Sequence, residues 1–208
     1  MSAAALGFRA GRGGAVAVGV AIDGGAPRVV LSTFLATAAE GDRLALEPYH
    51  VAVEMVQSRS GDDRAAAAAA VAEGRSRQDA LATEGLGVIV GRLQNAGCVP
   101  VAAALLVNRA GWLTEDLRLG HSLSAPEHPP VIEGLAVRDA LRFAFNRCGL
   151  RLSEMDEKSL PETASAVLGL SPGQIDAQLR ELGAAAGRPW RKEQKLACLA
   201  AWVAVAAP

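Results

Sequence analysis

The sequence predicts an α/β protein with one mixed five-stranded sheet and helices on both of its faces. Three observations support this prediction. Three strand-like segments with short turns follow one another near the N-terminus, and two later strand-like segments alternate with helical ones. Half of the 208 residues are apolar, which is enough to bury a large core without disulfides or a metal ion. The predicted element order is therefore β-β-β-α-β-α-β-α.

The first half of the predicted sheet is an antiparallel meander of three strands. Residues 15–22 alternate small with branched side chains, and residues 28–36 are rich in Val, Leu, Thr and Phe, so both segments predict strands. One acidic residue and two glycines at 23–25 predict a tight turn, because glycine adopts positive φ at little cost. Residues 44–56 predict a third strand, which Pro48 interrupts.

The middle of the chain predicts a long helix followed by a buried strand. Asp62 or Asp63 can cap the helix, whose first turns are a run of alanines, the best helix formers. Apolar residues continue along it to a stop at residues 95–97. Residues 98–107 are almost wholly apolar, which is typical of a strand that is buried on both faces.

The C-terminal half predicts one more strand and four helices. A long connection, residues 109–130, precedes a helix that two prolines can start and Gly149 stops. Glycines separate the later helices from one another. The predicted segments are a helix over residues 129–148, a strand over 150–155 and helices over 161–168, 172–186 and 190–206.

Composition and the N-terminal segment restrict the class of protein. Basic and acidic residues number 21 and 22, a balance that argues against a generally polyanion-binding surface. No apolar run reaches the roughly 18 residues that a membrane-spanning helix needs, so we expect a cytoplasmic, bacterial-type protein without membrane contact. Residues 1–14 lack a signal-peptide pattern and are expected to form a flexible leader before a single domain of residues 15–208.

Cysteine usage agrees with a reducing compartment. Cys98, Cys148 and Cys198 are odd in number, form no CxxC pair and occur in apolar or helical segments. We therefore expect three buried free thiols.

This order of elements resembles the ribonuclease-H-like superfold, which RNase H, Holliday-junction resolvases, transposases and each half of actin-like ATPases share. The stretch at residues 187–197 also resembles the end of an uncharacterised family of bacterial RNase-H-like proteins. For an active nuclease the resemblance implies two divalent ions, Mg²⁺ or Mn²⁺, held by carboxylates at one end of the sheet. Those carboxylates are expected on the first strand, near the end of the fourth strand and on the last helix.

The chain matches these acidic positions only in part. Asp23, after the first predicted strand, is the candidate for the first carboxylate, although it could instead stabilise the turn by bonding backbone N–H groups. Asn108 stands where the fourth strand would need an acid, and Glu193 is the only acid near the start of the last helix, among basic residues. Other acids that could complete the cluster are Glu54, Glu115 and Glu133.

Histidines and acids form two further candidate groups. His121, His128 and Glu133 follow a His-x6-His-x4-Glu spacing that is compatible with a Zn²⁺ or Mn²⁺ site. The alternative is that the histidines are solvated and that Glu133 interacts with its own helix dipole. His50 and Glu54 would share one face of the third predicted strand, where they could bind metal, move protons or form a polar outer face.

Basic residues on two late helices form a candidate nucleic-acid surface. Arg138 and Arg142 lie one helical turn apart and could meet phosphates. Arg188, Trp190 and Arg191 combine an aromatic side chain with guanidinium groups, which can stack on a base and contact phosphates. The alternative for the indole is docking against the core.

Three functions follow from these observations as hypotheses. The first is a divalent-metal-dependent nuclease, or a degenerate descendant of one, with Asp23, Glu54 and Glu133 as its catalytic acids. The second is a non-catalytic module that binds nucleic acid or protein. A homo-oligomer is compatible with both of these hypotheses. A nucleotide-binding relative of actin-like ATPases is the third; it is disfavoured because a complete ATPase needs two such lobes. A fold of this kind does not by itself determine the activity.

Overall fold

A computed structural model describes residues 1–58, 63–108, 115–124 and 129–207. Its sheet has the strand order β3-β2-β1-β4-β5, in which β1 pairs antiparallel with β2 and parallel with β4. The β2–β3 pair is antiparallel and the β4–β5 pair is parallel, so the sheet is mixed, as predicted. The strands are β1 (Ser2–Gly11), β2 (Gly14–Asp23), β3 (Ala26–Ala36), β4 (Cys98–Val107) and β5 (Leu152–Asp156).

Helices cover both faces of this sheet. The described helices are α1 (Arg43–Leu46), α2 (Pro48–Ser58), α3 (Arg64–Asn95), α4 (Glu115–Ser124), α5 (Pro129–Arg147), α6 (Leu160–Leu168), α7 (Pro172–Ala186) and α8 (Lys192–Ala206). One core cluster joins the sheet to α3 and α5, and a second joins its other face to α6, α7 and α8. A smaller cluster lies between α2, α3 and α5. None of the described helices has the length and apolar character that crossing a membrane would require.

The expected flexible leader is wrong, because most of it is the central strand of the sheet. Ser2–Gly11 pairs along its length with β2 on one side and β4 on the other. Leu6 and Phe8 are fully buried. Alanines and glycines dominate this segment, so it has little local strand preference, and its conformation depends on pairing with distant strands.

The third predicted strand, residues 44–56, is also wrong, because this segment is helical. The Asp42 carboxylate accepts a hydrogen bond from the Ala45 N–H at 3.1 Å and caps α1. Pro48 is the first residue of α2, where its missing N–H costs nothing. Buried Tyr49, Ala52 and Val53 follow at helical spacing and pack against the neighbouring helices.

Apart from α4, which lies in the segment expected to be a long connection (residues 109–130), the remaining elements occur as predicted, with ends shifted by a few residues. Asp63 caps α3 through a 3.0 Å bond from the Ala66 N–H, and β4, α5, β5 and the last three helices follow in the expected order. One strand, β1, was missed and one predicted strand, residues 44–56, is helical, so the sheet still has five strands. The predicted fold class is therefore confirmed: two of the three N-terminal strand predictions, residues 15–22 and 28–36, are correct, and one, residues 44–56, is wrong.

The three cysteines are free thiols, as expected. Cys98 and Cys198 are buried, and burial raises the pKa of the Cys198 thiol to about 12. Cys148 is exposed, which corrects the expectation of three buried thiols.

Candidate functional site

The candidate site lies where the parallel strands end. Because β1, β4 and β5 run in the same direction, their carboxyl ends meet at one edge of the sheet, which we call the carboxyl edge. Ligand sites in sheets of this kind are found outside such ends. Residues from five elements or their adjoining loops meet here: Arg9, Asn108, Arg138, Glu157 and Glu193.

Arg9 is the central charged group of the carboxyl edge. Its Nε and Nη2 atoms donate to the two carboxylate oxygens of Glu157 at 3.0 and 3.2 Å, a bidentate ion pair. Its Nη1 atom lies 3.7 Å from Oε1 of Glu193. About three-quarters of the Arg9 and Glu157 side-chain surfaces are buried, with 27% and 28% exposed, which reduces solvent screening of the pair.

The close approach of α8 to β1 positions Glu193 beside this arginine. A Cβ atom at Gly7 would lie only 1.9 Å from the Ala197 carbonyl oxygen, so only glycine lets the helix backbone rest on the strand. Glu193 is one helical turn before Ala197, and Arg9 is two residues after Gly7 on the same face of the strand. Glu193 therefore lies above the end of β1.

Arg138 contributes a second guanidinium from the other face of the sheet. Its Nη1 atom donates to the Asn108 side-chain oxygen at 2.8 Å. Its Nε atom is buried and has no hydrogen-bond partner in the described part of the chain. Burial lowers the pKa of Arg138, and the neighbouring Arg142 guanidinium lowers it further.

Arg142 and its neighbours form an ion-pair network beside Arg138. Arg142 donates to Glu154 at 2.6 Å and to Asp139 at 2.7 Å, and these carboxylates raise its pKa. Asp139 also pairs with Arg118 and, at 3.5 Å, with Arg75. Positive and negative groups thus alternate across α5 and β5, with more guanidiniums than carboxylates around Asp139.

The residues at the carboxyl edge do not fit a two-metal site. Glu157 and Glu193 both face the Arg9 guanidinium, which repels divalent cations. Asp156, the last residue of β5, is a further carboxylate at this edge. Asn108 supplies a neutral oxygen that already accepts from Arg138. Within the described ranges, no group of three or more His, Cys, Asp or Glu side chains is arranged to hold a metal ion.

The structure separates Asp23 from this edge. Asp23 ends β2, whose other end, Gly14, pairs with Gly11 at the carboxyl end of β1. Nine residue steps at roughly 3.3 Å each place it about 30 Å away along the strand. Its carboxylate accepts from Arg28 at 2.6 Å and from Ser2 at 2.9 Å, and both contacts lower its pKa.

Glu54 lies on α2 instead of on a strand. Its carboxylate accepts from Arg43 at 2.6 Å, which lowers its pKa, and lies 3.2 Å from His50 one turn earlier. The predicted His50–Glu54 proximity is therefore present through the helical spacing of four residues, not through strand alternation. Both side chains are substantially exposed, which agrees with the interpretation as a polar outer face.

Glu133 is buried and directed at another helix. Its Oε1 atom accepts from the backbone N–H groups of Tyr49 and His50 at 2.9 and 3.0 Å, in the first turn of α2. Its Oε2 atom is buried without a partner in the described part of the chain. Burial raises the pKa of Glu133 to about 7. The residue acts as a cap for α2, and the structure does not bring Asp23, Glu54 and Glu133 together.

The predicted histidine site is described only in part. His121 lies in the last turn of α4. His128 lies outside the described residues, so the three-residue metal group with Glu133 stays a prediction.

Trp190 is docked on the core side of its loop. The indole N–H donates to the Leu179 carbonyl oxygen at 3.0 Å, and the ring covers Gly183, where a Cβ would lie 2.2 Å from it. Arg188 and Arg191 are exposed before and at the cap of α8. These two arginines lie before the first turn of α8, whereas Arg138 and Arg142 lie on α5.

Arg9 and Glu157 were not among the residues that the sequence singled out. Arg9 fell in the segment expected to be a leader, and Glu157 follows a short strand in a turn with no motif. No local signal links them, because 148 positions separate the two partners.

Comparison with known proteins provides structural matches alone. No family model and no curated protein matches the chain. A structure of T. thermophilus RuvC in complex with a Holliday junction substrate matches with a TM-score of 0.53 and 11% identity, covering 97% of this chain and 92% of that chain. A second Thermus thermophilus RuvC structure matches with a TM-score of 0.51 and 13% identity, covering 96% and 92%. The chain has a ribonuclease-H-like fold.

With the ribonuclease-H-like fold established, the three expected acidic positions can be assigned to residues. The first strand is β1, and the residue near its carboxyl end is Arg9, not Asp23. The end of the fourth strand presents Asn108, and the last helix presents Glu193. Only one of the three positions holds a carboxylate, and that one faces Arg9 at 3.7 Å.

Proposed function

We propose that this chain is a non-catalytic nucleic-acid-binding protein that keeps a ribonuclease-H-like fold. The observation on which this proposal depends is Arg9 at the end of the central strand, paired with Glu157 at 3.0 Å. A two-metal nuclease needs several carboxylates free to hold cations there. In this chain a cation of the protein itself occupies the middle of that edge.

The ion pairs of Arg9 favour a structural use of the acids that remain. Releasing Glu157 and Glu193 for metal binding would require breaking a bidentate, mostly buried pair. It would also leave the guanidinium close to the incoming cation. Catalysis through bound Mg²⁺ or Mn²⁺ is therefore not part of the proposed function.

Nucleic-acid binding is supported by the groups around the carboxyl edge. Arg138 has an Nε donor without a partner in the described residues, and Arg188 and Arg191 are exposed. Guanidinium groups bind phosphate through paired N–H donors. A matching RuvC structure holds a Holliday junction substrate, which suggests branched DNA as the first ligand to test. With a net charge of −1, the chain would bind through a local surface and with strong salt dependence.

The test measures binding of a labelled four-way DNA junction, and of a labelled duplex with the sequence of its arms, by fluorescence anisotropy at several salt concentrations. We expect saturable binding of the junction that weakens as salt rises. The variant Arg138→Ala should reduce the magnitude of the slope of log K against log salt by about 1, because Arg138, whose Nε donor has no partner among the described residues, neutralises one phosphate in the wild-type complex. Arg142, in contrast, is already paired with Glu154 and Asp139.

The matched control is Arg147→Ala, which removes an arginine from the last turn of the same helix, away from Asn108. It should bind like wild type. Absence of binding to junction, duplex and single strand would refute the nucleic-acid proposal. Cleavage of the junction by wild type in Mg²⁺ or Mn²⁺, abolished by Glu157→Gln, would refute the non-catalytic proposal.

A further inference from the structure

The last three helices enclose a cavity that the proposed nucleic-acid surface does not use. It has a volume of about 480 Å³, which is within the usual range for small-molecule sites, and lies between α6, α7 and α8. We call it the three-helix cavity. Its floor is apolar and belongs to the second core cluster: Ile175, Leu179 and Leu199 line it and are 4–5% exposed.

The rim of the three-helix cavity is positively charged. Lys192 and Lys195 line it from the first turn of α8, next to Leu196, and both are exposed. Neither ammonium group forms an ion pair or hydrogen bond within the described residues. Asp176 is the one acid on the rim, which leaves an excess of one positive charge.

These lysines differ from the other cations of the chain. Arginines supply 18 of the 21 basic residues, and many of those described are paired with carboxylates at 3.5 Å or less, including Arg9, Arg28 and Arg43. Two of only three lysines lie together on one apolar cavity without such partners. A cation that no carboxylate neutralises is free to attract an anionic ligand.

The walls of the three-helix cavity are held in place before any ligand arrives. Pro161 and Pro172 line it from the first turns of α6 and α7, where the fixed φ of proline suits the helix. A preformed site loses less conformational entropy on binding. Both α7 and α8 begin at the cavity, so their dipoles add to the attraction that the lysines exert on an anion.

We propose that the three-helix cavity binds a small anionic amphiphile, a molecule with a hydrocarbon body and a carboxylate head. The body covers the floor formed by Ile175, Leu179 and Leu199, which removes apolar surface from water. The head group lies between Lys192 and Lys195. This site is separate from Arg138 and Arg142, so the inference stands whether or not the chain binds nucleic acid.

Calorimetric titration with sodium decanoate, below its micelle concentration, tests this site in the full chain. We expect saturable binding of one molecule per chain. Decanol has the same body without the charge, and acetate has the head without the body; both should bind at least about tenfold more weakly, because each lacks one half of the recognition.

The double variant Lys192→Glu/Lys195→Glu should bind decanoate about tenfold more weakly, since two favourable surface charge interactions become repulsive. It should still fold, because both side chains are exposed and acids are favourable in the first turn of a helix. Arg147→Glu makes the same kind of charge change on α5, on the opposite face of the sheet, and should leave decanoate binding unchanged.

The proposal is overturned by failure of wild type to bind decanoate, by binding of decanol as tight as that of decanoate, or by wild-type affinity for decanoate in the lysine variant. Equal weakening by Arg147→Glu would also contradict it, because the effect would then come from net charge and not from the cavity. DNA binding by the wild-type chain is a separate readout, so failure of one proposal is distinguishable from failure of the other.

Discussion

Individual residues of this chain often have a role set by a partner distant in sequence. Glu133 was a candidate metal ligand from its spacing to two histidines, and in the structure it caps α2 through the N–H groups of Tyr49 and His50. A carboxylate that accepts hydrogen bonds from two backbone N–H groups at the start of a helix is normally stabilised as an anion. Here desolvation is the larger effect, because one carboxylate oxygen is buried without a partner in the described residues.

The buried Glu133 predicts a specific pH dependence of stability. Its pKa is raised from 4.5 to about 7 by folding, so between those pH values the folded chain binds more protons than the unfolded chain. The contribution of Glu133 to the free energy of unfolding therefore falls as pH rises from about 4.5 to 7, by roughly 2–3 kcal/mol for a shift of this size.

The variant Glu133→Gln should remove this decline, because the amide keeps an acceptor for α2 but does not titrate. Urea unfolding of wild type and variant at pH 5 and pH 8 measures the difference. The free energy of unfolding of the variant relative to that of wild type should be higher at pH 8 than at pH 5. Glu162→Gln, which changes an acid in the first turn of α6, is the control and should follow wild type. The same difference in free energy of unfolding at both pH values would contradict the raised pKa of Glu133.

At the scale of elements, helices and strands are held by close backbone contacts as well as by side chains. The crossing of α8 over β1 depends on Gly7, and this crossing brings Glu193 to Arg9. The position of the helix therefore controls the charge pattern of the carboxyl edge. Neither contact follows from the local pattern of either element.

The variant Gly7→Ala should destabilise the protein strongly. The added Cβ would lie 1.9 Å from the Ala197 carbonyl oxygen. Because that oxygen belongs to the backbone, no change of side-chain rotamer can relieve the clash. We expect a loss of about 3 kcal/mol in the free energy of unfolding, the upper end for overpacking. Thermal and urea unfolding measure this loss.

Gly11→Ala is the matched control on the same strand, because a Cβ at Gly11 would meet no atom within 4 Å. Its stability should change by about 0.5 kcal/mol or less. Equal effects of the two substitutions would mean that α8 does not rest on β1 in this way.

At the scale of the whole molecule, the N-terminal segment determines the sheet. β1 lies in the middle of the strand order β3-β2-β1-β4-β5 and is the only link between the antiparallel β2–β3 pair and the parallel β4–β5 pair in the described structure. The hydrophobic clusters on both faces include residues that pack against this strand.

Deleting residues 2–11 should therefore abolish cooperative folding. The deletion removes the buried Leu6 and Phe8 and leaves the strand edges of β2 and β4 without partners. Circular dichroism during heating should show no sharp transition. A truncated chain that unfolds cooperatively near the wild-type temperature would instead support the interpretation of this segment as a leader.

Much of the fold could be predicted from the sequence, whereas little of the candidate site could. Helix caps such as Asp63 and the apolar run of β4 are local signals, since they depend on residues within a few positions of each other. The strand prediction for residues 44–56 was wrong because an apolar pattern of that length fits either a strand or a short helix, and packing against α3 and α5 decides between them.

By itself, the sequence determined the positions of β2 to β5 and of most of the helices, the apolar composition of the core and therefore the α/β class. Only the tertiary structure decided that β1 is the central strand, that Asp23 and Glu133 are remote from each other, and that Arg9 occupies the carboxyl edge. The physical reason is range. Helix propensity and capping act between neighbours in the chain, whereas strand pairing, burial and ion pairs join residues that only the folded chain brings together.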